Sequence, residues 1–516
     1  MSFGTLLSRI TGFFRDIFIA KYLGSGFYSD TFFIAFKIPN FFRRLFAEGA
    51  FNSAFTPIFA SGVHSHGKDK MMIFARNIYS ILLYSLLIFT LFIELIMPYF
   101  VYVIAPGFSG NSEKLTFLIL LTRITFPYLI FISLVSLMSG ILNTFNKFFA
   151  VSVMPVILNV TIIFLSIIFG RFSSRVFTIA LSYGVFLAGI LQMLWLLFFT
   201  LKEKTFLYPV FPKLTSTTKQ FFSKFSSSVL GCGIVQINTM IDSIVATLIP
   251  GAVSLLYYGD RVAQFPLSLI GTAIGISILP VLSKTLSKGG DSNEAQEIQE
   301  SSIFLACFLG IPCAVGLFTL ANPIIEVLFQ RGEFTATDTV NVANILRIYG
   351  MALPFFILSK ILQTIFYAKK DTTTPMKNSL YCLIINIIFS FSFVYFIGAN
   401  GIAIATTISA FSATLMLFRK LLKEKTLIFT DILKVKLLKV IYISLIMGIT
   451  IVCCNIFLNK FNLFSIFKLI ISTGIGGSLF FILAFYLKVL DLEQIKALLP
   501  KKSKNSIEKI KESQEI

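Results

Sequence analysis

The chain has 516 residues, of which 56% are apolar (Ala, Val, Ile, Leu, Met, Phe, Trp, Tyr or Cys) and 13% charged, with a mean hydropathy of +0.86. Soluble domains carry about 25% charged residues, so the composition excludes a disordered chain and a soluble enzyme. The net charge of +20 would suggest a nucleic-acid partner in a soluble protein, but in so apolar a chain it points to membrane topology and anionic headgroups, with no nucleic acid expected.

A membrane-spanning helix needs about 20 mostly apolar residues. Apolar runs between polar breaks predict fourteen such helices, at about 3–22, 28–61, 72–104, 114–142, 151–169, 176–200, 216–248, 253–285, 298–328, 336–368, 376–397, 400–421, 432–457 and 463–488. The fold class is therefore an all-α polytopic membrane protein. Charge is densest in the first two helices. Arg9, Arg15 and Asp16 lie on the first, where they also interrupt any cleavable signal pattern. Asp30, Lys37, Arg43, Arg44 and Glu48 lie on the second. Arg9 and Asp16 share a helix face, and Arg44 and Glu48 are spaced to pair. Pro39, between Lys37 and Arg43, removes a backbone donor and kinks the helix. His64 and His66 follow in a predicted loop; with no third His in the chain they read as solvated rather than as metal ligands. Asp242, in the seventh helix, is a lone embedded carboxylate. With Asn386 and Thr406 it offers oxygen ligands for Na⁺; alternatively it carries a proton or is a structural Asp. Asp260 and Arg261 open the eighth helix, ahead of Pro266. The six Cys (232, 307, 313, 382, 453 and 454) all sit in apolar runs and read as small core residues. No phosphate loop or nucleophile constellation is present, so neither ATP hydrolysis nor another enzymatic activity is expected, and no cofactor.

The basic residues set the topology. The even-numbered connections and the Lys-rich tail hold most of the loop Lys and Arg, and the odd-numbered ones hold only Lys21, Lys114, Arg171, Arg175, Arg331 and Lys460. The positive-inside rule then places both termini in the cytoplasm. A repeat is also visible. Arg123 and Arg347 stand 224 residues apart in similar contexts, and Pro57 and Pro280 stand 223 apart. It implies a six-helix lobe over 1–201 and another over 202–421, followed by two extra helices within 422–489 and a basic tail over 490–516, with substrate bound between the lobes. Cations of the cytoplasmic-side loops and tail are all Lys but Arg419, whereas eight of the twelve embedded ones are Arg: Arg9, Arg15, Arg43, Arg44, Arg76, Arg123, Arg261 and Arg347. An embedded charge is costly and marks a cavity or a partner. The planar Arg fork suits phosphate or carboxylate oxygens. Arg9, Arg15, Arg43, Arg44 and Arg261 are thus candidates to bind an anionic ligand.

The run from Ser8 to Ala60 closely resembles the start of the lipid II flippase family (MurJ, or MviN), within the multidrug, oligosaccharidyl-lipid and polysaccharide exporter superfamily. The stretches APGF (105–108), ITFPY (124–128), GILNTFNKF (140–148), 257–280 and QRGEF (330–334) are similar to it too. The resemblance implies fourteen helices, two lobes and a central cationic cavity. It implies flipping of the undecaprenyl-pyrophosphate-linked peptidoglycan precursor, lipid II, to the outer leaflet of the bacterial cytoplasmic membrane. It assigns substrate binding to Arg9, Arg15, Arg43 and Arg261, with Asp30 as their acidic partner, and a lipid-tail groove to the last two helices. It implies coupling to the membrane potential and in some members to Na⁺, leaving H⁺ as the alternative ion here. Lipid II and membrane lipids are the implied partners, wall-synthesis proteins are candidates, and a monomer is the expected state. Gln264 and Ser390 stand where relatives often carry acidic residues, which weakens the case for Na⁺. The competing readings are a multidrug or other polyprenyl-linked glycan exporter and a non-transporting lipid-binding scaffold.

Overall fold

In a bilayer every backbone polar group must be satisfied within the chain, and helices do this segment by segment. The computed structural model describes residues 2–45, 51–287, 292–424, 426–461 and 463–489, and among them there is no strand. Glu48 and the tail over 490–516 lie outside the described residues. The α-helices are α1 (Ser2–Leu23), α2 (Phe27–Phe42), α3 (Asn52–His66), α4 (Lys68–Leu95), α5 (Met97–Ile104), α6 (Ser112–Thr125), α7 (Tyr128–Thr144), α8 (Phe148–Ser152), α9 (Met154–Phe169) and α10 (Ser174–Lys202). After them come α11 (Ser216–Ala246), α12 (Ala252–Pro266), α13 (Thr272–Ser287), α14 (Ser292–Thr319), α15 (Ala321–Phe329), α16 (Ala336–Ala368), α17 (Thr373–Ile397), α18 (Ala399–Lys423), α19 (Asp431–Leu458) and α20 (Ser465–Tyr486).

Eleven helical runs among the described residues are long and apolar enough to cross a membrane, against the fourteen expected. The runs outside that set are α1, α2 with α3, and α11. The first carries Arg9, Arg15, Asp16 and Lys21, and α2 is only 16 residues long. His64 and His66 are exposed in the last turn of α3, not in a loop. Exposed apolar side chains line the outer helices, including Ile88 and Leu95 on α4, Phe396 on α17 and Tyr486 on α20. A hydrocarbon solvent makes that exposure favourable, where water would penalise it.

The chain divides into two compact units: residues 1–265, 321–352 and 372–416, and residues 266–320, 353–371 and 417–516. One division falls at Pro266, which is followed by a π-helical turn, Leu267–Gly271; another falls just ahead of Pro354 within α16. In the second unit, small residues let helices close on one another, as is usual in membranes. A Cβ at Gly448 of α19 would stand 2.7 Å from Val315 Cγ1 of α14, and one at Gly476 of α20 would stand 2.5 Å from Ile451 Cγ1 of α19.

In the first unit two local devices shape the site. Pro39 lacks the N–H that would bind the Ala35 carbonyl; the Thr125 hydroxyl of α6 donates to that carbonyl instead, at 2.9 Å. The Ala35 carbonyl is therefore not orphaned by the proline. The α1–α2 turn is fixed from the other side by the segment over 330–334. Glu333 N donates to Lys21 O at 2.8 Å. Gly24, at φ +58°, has no Cβ to strike the Glu333 carbonyl.

Gly24→Ala places a Cβ in the left-handed region, which costs an L-residue about 1–2 kcal/mol, as well as against that carbonyl. Its thermal unfolding temperature in detergent should fall. Gly474→Ala, in the interior of α20 with nothing within 4 Å of its Cβ, should leave the temperature unchanged or raise it, because Ala favours a helix by about 1 kcal/mol over Gly. Equal behaviour of the two variants would refute the assigned packing at Gly24.

Candidate functional site

Within the first unit, α1, α2, α9, α11 and α12 enclose a polar cavity of about 330 Å³. Six basic side chains line it (Arg9, Arg15, Lys37, Arg43, Arg44 and Arg261), against one acidic side chain, Asp260. The five arginines singled out from the sequence are all among them. Neutral polar groups share the wall, among them Asn40, Asn159, Gln236 and Gln264.

The floor is a network centred on Asp16, which is fully buried. Its Oδ1 accepts from Arg15 Nε at 3.0 Å and Nη2 at 2.7 Å, and from the Tyr257 hydroxyl at 3.0 Å. Its Oδ2 pairs with Arg261 Nε at 2.6 Å. One carboxylate thus faces two guanidinium groups. Arg15 is held further by Asn159 Oδ1 at 3.1 Å and by the Tyr257 oxygen at 2.9 Å. Asn159 spends its amide protons on α1, donating to Ser8 O at 3.0 Å and Thr11 Oγ1 at 3.1 Å. Tyr257 is oriented by stacking on Phe33 at 3.8 Å. Gly12 is what admits Arg261: a Cβ there would collide with its guanidinium. Arg15 is buried and bonded through all three of its guanidinium nitrogens, whereas the Arg261 side chain keeps 35% of its surface exposed.

On the opposite wall Arg43 is half-buried and donates from Nε to Asn40 Oδ1 at 3.0 Å; Arg44 is exposed. Lys37 donates to the Ser243 hydroxyl of α11. Asp260 accepts from Gln264 Nε2 one turn away, at 2.8 Å. Cations therefore outnumber acids around the cavity even after Asp16 is counted. Such a site attracts anions, and its guanidinium forks match oxygens held in fixed geometry, as in a phosphate.

The structure places Asp30 outside this cavity. It is fully buried and accepts from Lys114 Nζ at 2.9 Å, Gly251 N at 2.9 Å, and Ser254 N and Oγ at 3.0 and 2.8 Å. It caps the start of α12 and ties that end to α2 and α6, where a carboxylate also meets the positive end of a helix. Asp242 lies elsewhere again. Asn386 Nδ2 of α17 donates to Asp242 Oδ1 at 2.6 Å and to Asn238 Oδ1 at 3.1 Å, and Ser390 Oγ donates to Asn386 Oδ1 at 3.4 Å. Thr406 donates to Ile402 O of its own helix at 3.0 Å. Among the described residues no cluster of three or more His, Cys, Asp or Glu is arranged to hold a metal.

Asp16, Tyr257, Asn159 and Lys37 were not singled out as binding residues from the sequence. The adjacency of Arg15 and Asp16 was a usable signal for the first. Asn159 gave none, because its partner Arg15 lies 144 residues away.

The family model described as "Lipid II flippase MurJ" matches residues 19–472. A protein of Rhizobium tropici named "Probable lipid II flippase MurJ" is 37% identical, over 96% of this chain and 95% of its own length. A solved structure titled "Lipid II flippase MurJ, inward closed conformation" superposes with a TM-score of 0.81 at 27% identity, covering 95% of this chain and 99% of that one. An inward-facing multidrug MATE transporter of the MOP superfamily superposes at TM-score 0.65 and 14% identity, over 81% of this chain and 95% of its own, which is a likeness of fold.

Breaking a buried ion pair by removing one partner costs about 3–5 kcal/mol. Asp16→Asn leaves Arg15 and Arg261 facing each other without a counter-charge, so its unfolding temperature should drop. Inorganic pyrophosphate should restore more stability to this variant than to the unaltered protein. An unchanged temperature would remove Asp16 from its central position.

Proposed function

The chain belongs to the lipid II flippase family, MurJ, and on that basis we propose that it moves lipid II from the inner to the outer leaflet of the bacterial cytoplasmic membrane. It is a transporter rather than an enzyme. The observation that carries this reading is the single cavity in which Arg9, Arg15, Arg43, Arg44, Arg261 and Lys37 converge. A diphosphate offers the bidentate oxygens that guanidinium groups bind best. The sugar-peptide head is too polar to cross hydrocarbon unaided and needs a polar enclosure. Arg43 and Arg261 contact the diphosphate, and Arg15, already held by Asp16, Asn159 and Tyr257, sets the position of the others. Asp30 acts through the α12 start, not on substrate. A cationic-drug exporter would need an acidic cavity, and this one is basic.

The chain crosses the membrane fourteen times as two six-helix lobes plus α19 and α20, with both termini cytoplasmic, and works as a monomer by rocking its lobes. A potential positive outside returns the empty cationic cavity inward. Asp242, with Asn386 and Asn238, is the place for a coupling cation, H⁺ or Na⁺. The polyprenyl tail stays in apolar surroundings throughout. Wall-synthesis enzymes are the partners that would receive the product.

The test is replacement of the resident lipid II flippase in a bacterium, with lipid II exposed on the outer leaflet as the readout. This chain should restore exposure. Arg43→Ala should reduce it at least about tenfold, the cost of losing charged hydrogen bonds, and Arg43→Lys should recover little of it. Full exposure with Arg43→Ala would overturn the role given to the cavity. Correct insertion without any exposure would overturn the substrate.

A further inference from the structure

A second cavity in the first unit, of about 360 Å³, is apolar. We propose that it is a binding site for the polyprenyl chain of the substrate, additional to the groove expected at α19 and α20. The inference rests on the reading of the polar cavity as a diphosphate site. The walls are aromatic and aliphatic: Phe51 ahead of α3, Leu86 and Phe89 of α4, Leu129 of α7, and Phe221 and Phe225 of α11. Its volume falls within the range of small-molecule sites.

Two of three observations favour a hydrocarbon chain delivered from the bilayer; the other, at Ser133, marks a side chain that no polar group of the protein meets. The first is the mouth. Ser85 lines the cavity and is exposed, and on α4 it is flanked by the exposed Tyr84, Leu87 and Ile88. The chamber therefore opens on a face that already meets lipid. Beside Ile78, which also lines the chamber, Asn77 donates to Lys213 O at 2.5 Å and to Thr218 Oγ1 at 3.0 Å, and accepts from Lys213 N at 2.7 Å, which ties α4 to the start of α11.

The second is an unspent hydroxyl. Ser133 of α7 faces this cavity, is 2% exposed, and its Oγ has no hydrogen-bond partner. A helical Ser normally bonds the carbonyl four residues back.

The third is that one helix lines both cavities. α11 supplies Phe225 to the apolar chamber and Gln236 to the polar one. Eleven residues of helix separate them, about 17 Å at 1.5 Å per residue. A ligand with a diphosphate head and a long unsaturated chain can therefore occupy both along one helix. Phe rings give its double bonds dispersion contacts along their faces and edges.

The experiment uses the full chain in nanodiscs of phosphatidylethanolamine and phosphatidylglycerol, with Ser85→p-benzoylphenylalanine as the photocrosslinker and undecaprenyl diphosphate as the probe. Tyr395→p-benzoylphenylalanine, on an exposed apolar position of α17 that is 75% accessible, reports ordinary lipid contact. Irradiation at Ser85 should give a polyprenyl adduct by intact mass, enriched about tenfold over the Tyr395 control. Ser133→Leu, which fills the chamber, should remove that enrichment. The Ser85 readout alters no core residue and stands even where Ser133→Leu fails to fold. Phospholipid adducts alone, no adduct, or equal yields at the two positions would overturn the proposal. Pyrophosphate binding measured on the same samples separates the two readings. Binding that is lost in Arg43→Ala, combined with no enrichment at Ser85, sinks the chamber alone. Enrichment at Ser85 without pyrophosphate binding upholds the chamber and sinks the diphosphate site.

Discussion

The ion pairs of Asp16 with Arg15 and Arg261 are the constraint on which the cavity depends. A cavity built to attract anions must hold several like charges close together in surroundings of low dielectric, where each is costly. One buried carboxylate offsets that repulsion without cancelling it. Because Asp16 is fully buried and Arg261 only partly so, the acid is out of reach of a ligand while the guanidinium is not. The remaining fixtures serve this geometry: Asn159 and Tyr257 hold Arg15, Phe33 holds Tyr257, and Gly12 leaves room for Arg261.

Asp30 shows the opposite use of a carboxylate. Two backbone amides, a hydroxyl and Lys114 satisfy it, so nothing of it is left for a ligand. Its charge goes into fixing where α12 begins, and hence where Tyr257, Asp260 and Arg261 stand on the following turns. Two acids fourteen positions apart in the chain thus act at different distances from chemistry: one tunes the charge of the site, the other places the helix that supplies it.

Much of this was legible in the sequence. Hydropathy alone marked a multi-span helical membrane protein, and the preference for Arg over Lys in embedded positions picked out all five arginines that line the cavity. What the sequence does not show has a common cause. Asp30 was grouped with the arginines because it shares their helix run, and sequence spacing cannot say that its carboxylate turns toward Lys114 and the start of α12. Asn159 and Tyr257 look like ordinary polar groups in apolar helices until the fold brings them to Arg15. The expectation of fourteen helices counts charged runs as spans, and the charges that α1 brings to the site are also what set it apart from the eleven runs apolar enough to cross by composition alone.

The π-helical turn over Leu267–Gly271 has a consequence for how this gene can change length. A wide turn is one residue more than an α-helix would use, and each residue of an α-helix rotates the face by about 100°. Everything from Thr272 to Ser287 is therefore phased against the preceding helix by that one additional residue. Loss of a single codon here would swing Ile274, Ile278 and Leu282, now buried, out of their row by nearly a third of a turn while leaving composition and hydropathy almost untouched. Spacing, rather than residue identity, is the quantity under constraint across that joint.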